Sequence, residues 1–322
     1  GSEMCIRDRS NDSIAIGNSA GNSNQNTFSI AIGQNAGRFT QGTNSIAIGS
    51  SSGGTDQGTS CVAIGSSAGE IGQSNQAVAI GPNAGQSNQS SNAIAVGWQS
   101  GLSSQGVNSI SIGIVSGFDS QHSNAIAIGN GAGYSNQHTE TIAIGTSSGN
   151  INQESFAIAI GNFSGNTSQN EKAIAIGVEA GSNVQKSNAI AIGYQAGNSD
   201  QNINAVALGP QSGFNNQNSN AIAIGLIAGY LSQHTDSIAI GFGSGASNQS
   251  YNSIALGKQS GSISQGSNGA DSGLILSPYQ TVVSAGATVT GPSFTLNTYG
   301  YLGYVAPYFQ QSGLNTVDVY CE

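Results

Sequence analysis

From residue 13 onward the chain repeats one short pattern: small, branched aliphatic, alanine, branched aliphatic, glycine. Ser13-Ile14-Ala15-Ile16-Gly17 is followed sixteen residues later by Ser29-Ile30-Ala31-Ile32-Gly33. Branched side chains two residues apart share one face of a β-strand, and the small residues between them take the other. The first aliphatic column is Ile except at Val62, Val78 and Val206, and the second is Ile except at Val96, Leu208 and Leu256. Glycine recurs from Gly17 to Gly257 and again four residues later from Gly21 to Gly261, and glutamine recurs from Gln25 to Gln265, with no insertion or deletion. The β-branching, with Gly and Asn this frequent, excludes an amphipathic helix. Sixteen residues hold one tight β coil, and not a helix, a strand and two connections.

The pattern therefore predicts an all-β fold, a parallel β-solenoid or β-roll of sixteen 16-residue coils over residues 11–265. Each coil stacks on the last at about 4.8 Å, which gives a rod of roughly 75 Å. Gly17 and its equivalents end the strand at a turn, through a positive φ or for want of room for a Cβ. The stretch holding Ala20-Gly21 is the expected second strand or arc.

Two faces follow from the alternation. The aliphatic columns Ile14, Ile30, Ile46 and Ile16, Ile32, Ile48 are expected to fill the interior. Ala15, Ala31, Ala47, Ala63, Ala79 and Ala95, with the small residues beside them, then make a flat outward band too apolar for open solvent. Other copies of the chain are expected to cover it about a shared axis. The unvarying glutamines, Gln25, Gln41, Gln57, Gln73, Gln89, Gln105, Gln121 and Gln137 among them, read as a structural ladder of buried amides.

The five-residue core, as in Ser45-Ile46-Ala47-Ile48-Gly49 and in Ala93-Ile94-Ala95-Val96-Gly97, resembles the head repeats of trimeric autotransporter adhesins of the YadA type. The 16-residue spacing is similar to variants in giant-virus and environmental surface or fibre proteins. The resemblance implies a left-handed roll, a trimer with its small face near the three-fold axis, and an extracellular, cell-surface or virion-surface location. The fixed glutamine and the longer coil are departures from the adhesin heads.

Charged residues are only 7% of the 322, with a formal net charge of −9, so neutral polar side chains must keep the surface wet and nucleic acid is a poor partner. No apolar run is long enough to span a membrane. Residues 1–10 read as an expression or assembly scar, and residues 266–322, where the register stops, as a small β-rich cap. The three cysteines, Cys5, Cys61 and Cys321, form no metal or disulfide framework. His122, His138 and His234 share the position after the fixed glutamine without a recurring third ligand, so no metal or cofactor is expected. No catalytic spacing is present, and the expected function is that of a rigid structural or adhesive fibre module, not an enzyme. The alternative is an ice-binding solenoid. Leu102, Phe118, Tyr134, Phe214 and Tyr230 share one position and are expected to form outward ribs, for which a surface glycan or a receptor is the candidate partner.

Overall fold

The computed structural model describes residues 12–262 and three later strands, Leu274–Leu276, Phe294–Leu296 and Tyr301–Tyr304. The chain divides into two units, Gly1–Val184 and Gln185–Glu322. The boundaries expected at residues 10 and 265 fall next to or within stretches outside the described residues. Positions within a coil are counted below from its small residue, so that Ser13, Ser29 and Ser45 stand at position 1.

In the first unit each coil opens with a three-residue strand at positions 2 to 4, from Ile14–Ile16 to Ile174–Ile176. Consecutive strands pair in parallel and in register, like residue on like, as in Ile46↔Val62, Ala47↔Ala63 and Ile48↔Ile64. A turn follows over positions 5 to 9. The second strand lies at positions 11 to 13, from Ser23–Gln25 to Thr167–Gln169, again parallel to its successor. In the fourth coil that strand shrinks to a bridge at Ile71. The Ala20-Gly21 stretch thus belongs to the turn, and the second strand begins two residues beyond it.

The turns are held by left-handed backbone. Besides the two glycines of each coil, positions 7, 12 and 16 take positive φ, as at Ser19, Asn24 and Phe28. Asn, Ser, Asp and Gln fill most of these sites, since short polar side chains tolerate that region best. The residue at position 12 sits in the middle of the second strand. It leaves only positions 11 and 13 to pair, as in Ser103↔Asp119 and Gln105↔Gln121.

In the second unit the same design runs through Ile190–Ile192, Val206–Leu208, Ile222–Ile224, Ile238–Ile240 and Ile254–Leu256. Leu274–Leu276 then adds a further parallel strand on Ile254–Leu256. Tyr301–Tyr304 pairs antiparallel with both Leu274–Leu276 and Phe294–Leu296. The parallel ladder therefore passes into a short antiparallel arrangement where the sixteen-residue register has ended.

The interior reverses the expectation for the two strand faces. Ala31, Ala47, Ala63, Ala79 and Ala95 are fully buried, as are the position-8 residues Ala36, Ser52 and Ala68 and the glutamines at position 13. The glutamines are the largest fully buried side chains among the described residues. The isoleucines point outward: Ile112 is 39% exposed and Ile144 36%. The cause is space. A Cβ placed on Gly133, at position 9, would lie 2.5 Å from Gln137 Oε1 and 3.2 Å from Ala127 Cβ. A coil with no room for one more carbon cannot hold two isoleucines, so the bulky face must turn out.

Candidate interaction surfaces

The interior is built around amides. Gln137 Nε2 donates to the Ile126 carbonyl of its own coil at 2.8 Å and to Gln153 Oε1 of the next coil at 3.2 Å. Most equivalents also approach the position-1 carbonyl of the following coil, as Gln121 Nε2 does to Ala125 at 3.3 Å. In the first unit the amide-to-amide series runs from Gln57 through Gln73, Gln89, Gln105, Gln121, Gln137 and Gln153 to Gln169. In the second it links Gln185, Gln201, Gln217 and Gln233. Gln25 and Gln41 keep the carbonyl contacts, but their Oε1 atoms, like that of Gln57 where the series begins, face no donor. Within each series the amides point the same way, so each bond polarises the next.

One coil breaks the alanine rule and shows how strict the interior is. Ser111 replaces alanine at position 3, and its hydroxyl donates to Gln121 Oε1 at 2.6 Å. An added polar group is accepted where the amide can receive it.

Cys61 occupies position 1, fully buried, with its thiol 2.9 Å from the Ser74 carbonyl. Burial pushes the thiol pKa up, against smaller opposing hydrogen bonds from the backbone of Ala77, Gln76 and Gly58. It packs where other coils have Ser or Ala, as an inert small residue.

The first-strand surface is the chief candidate for contact. Ala15, Ala31, Ala47, Ala63, Ala79 and Ala95, expected to face partner chains, are interior residues, and Ala15 in the first coil is exposed only to 7%. The outward residues at positions 2 and 4 are the isoleucines instead. Register stacking makes them two adjacent columns within each unit. The interior already being full, this aliphatic band has no cover from its own coil.

The aromatic position, position 10, points outward. Phe118 and Tyr134 stack at 4.8 Å between centroids with 4° between their planes, and Phe214 and Tyr230 at 4.9 Å and 15°. Leu102 precedes Phe118 in the same column, and the three are half-buried or exposed. Because rings on successive coils cover each other's faces, they offer solvent mostly their edges. His122 and His138 stack in the same manner at 5.1 Å, with His138 Nδ1 4.0 Å from Glu154 Oε2. Among the described residues no three His, Cys, Asp or Glu side chains converge on one point.

Two stretches of the array are similar to YadA head repeats: the family model of the YadA head domain repeat matches residues 40–52 and 235–260. Each match contains a first strand with its flanking turn, Ile46–Ile48 in one and Ile238–Ile240 with Ile254–Leu256 in the other. No curated protein and no solved structure matches the chain.

Proposed function

We propose, from the likeness to YadA head repeats and the uncovered aliphatic band, that the chain is a structural, adhesive module of a surface fibre that works as a homotrimer. The observation that carries this reading is the pair of isoleucine columns on the outside of coils whose interiors are closed. An apolar band continued over many coils exceeds what a monomer leaves in water. A cyclic assembly covers the same band on every subunit. Three is the number that the resemblance to trimeric adhesin heads implies, and the same resemblance supports a place on a cell or virion surface.

In this reading the module acts through repetition and rigidity. Backbone ladders and the buried amide series fix each coil on the next, and the second strands present Ser, Asn, Thr and Asp to the surroundings. Catalysis forms no part of it. A glycan or receptor would meet the outward surface away from the isoleucines, where the ring edges of Phe118 and Tyr134 stand.

The experiment is a solution mass by sedimentation equilibrium. The reading expects close to three times the chain mass of 32.1 kDa over the micromolar range. A stable monomer at those concentrations overturns it.

A further inference from the structure

The isoleucine band is wider in some coils than in others. Position 6, the next outward residue beyond position 4, is polar in the first four coils, at Asn18, Gln34, Ser50 and Ser66. It turns apolar in the next three, at Pro82, Trp98 and Ile114, and is polar again at Asn130, Thr146 and Asn162. Trp98 is 50% exposed and Ile114 49%. These residues lie one above another: Gln99 N donates to the Pro82 carbonyl at 3.0 Å and Val115 N to the Trp98 carbonyl at 2.9 Å. A second apolar run, Tyr194, Pro210, Leu226 and Phe242, is tied in the same way within the second unit.

Backbone strain marks both runs. Position 7 takes positive φ and usually carries Asn, Ser, Gln or Gly, yet Val115 beside Ile114 and Ile227 beside Leu226 adopt it at 47° and 51°. A β-branched residue is disfavoured there, and such strain collects where a surface has work to do. Single exposed apolar residues need no explanation, but grouped ones on successive coils beside an apolar band do.

We infer that Pro82, Trp98, Ile114 and Val115 extend the self-association face, forming a band where a second copy of this chain packs more widely than over the isoleucines alone. The inference rests on the homotrimer reading. A second copy is the occupant because the patch continues the isoleucine columns without a polar break, Val96 and Ile112 preceding Trp98 and Ile114 by two residues. About a shared axis one flank of each chain meets the opposite flank of its neighbour. Position 6 lies on such a flank.

Trp98 is the chain's single tryptophan, so its fluorescence reports on this patch directly. In the full chain, at concentrations where sedimentation gives the trimer mass, emission should be blue-shifted. Acrylamide should then quench it about threefold less, or weaker still, than in the urea-unfolded chain, as for an aromatic in an interface core. A trimer whose Trp98 is quenched as readily as the unfolded chain overturns this inference and leaves the homotrimer standing. A monomeric mass overturns both.

Discussion

At the scale of single residues, the fixed glutamine carries the interior. Gln137 is fully buried, spans the coil to the Ile126 carbonyl and donates a hydrogen bond to Gln153 Oε1. Gln137→Ala removes those bonds, strands Gln121 Nε2 without its Gln137 acceptor, and opens a cavity. The expected cost is about 2–4 kcal/mol, read as a lower urea midpoint at fixed protein concentration. Cys61 gives a second residue-scale prediction. Its buried thiol holds its proton to higher pH than the same thiol in the unfolded chain. Its contribution to stability is therefore present at neutral pH and falls as pH rises past the ordinary thiol pKa. Peptide mapping after iodoacetamide at pH 8 should find Cys61 unmodified in the native protein and modified in the unfolded one.

At the scale of the coil, glycines at different positions are there for different reasons. Gly129, at position 5, has φ +131°, and a Cβ there would lie 2.6 Å from the Gly145 carbonyl oxygen of the next coil. Gly129→Ala should cost about 3 kcal/mol or more, because neither backbone can yield without breaking the ladder. Gly131, at position 7, also has a positive φ, but its nearest neighbours stand 3.5 Å away and are side-chain ends. Gly131→Asn should stay within about 0.5 kcal/mol of the parent. Thermal unfolding of the two variants side by side checks the contrast.

Much of the coil was legible in the sequence for physical reasons. The sixteen-residue period fixed the register, β-branching marked the first strand, and the unvarying Gln25 to Gln265 column signalled an amide that could not be exchanged. The side of the strand that turns inward was not legible. A period of two separates two faces without saying which is enclosed, and the usual rule that bulk goes inside fails in a coil this narrow. One signal pointed the other way. Glutamine, unvarying, had to be buried somewhere, and the room it takes is room that isoleucine cannot use. The second strand was misplaced because its outward residues vary and its middle residue is left-handed, as at Asn24, which hides the alternation.

At the scale of the whole molecule, an outward aliphatic band and a chain with only 7% charged residues make the proposed self-association an apolar event. The mass of the assembly should therefore be unchanged between 0.05 and 1 M NaCl, about the range over which surface ion pairs are screened away. The central claim is that isoleucines lie outside and glutamines within, and paired circular dichroism and sedimentation of one variant test it most directly. Ile110, Ile126 and Ile142 occupy position 2 on three stacked coils, and all three are changed to Glu. The account predicts a β-sheet spectrum like the parent's with the mass reduced toward that of one chain. Loss of the β-sheet spectrum, as three charges in a closed interior would cause, contradicts it.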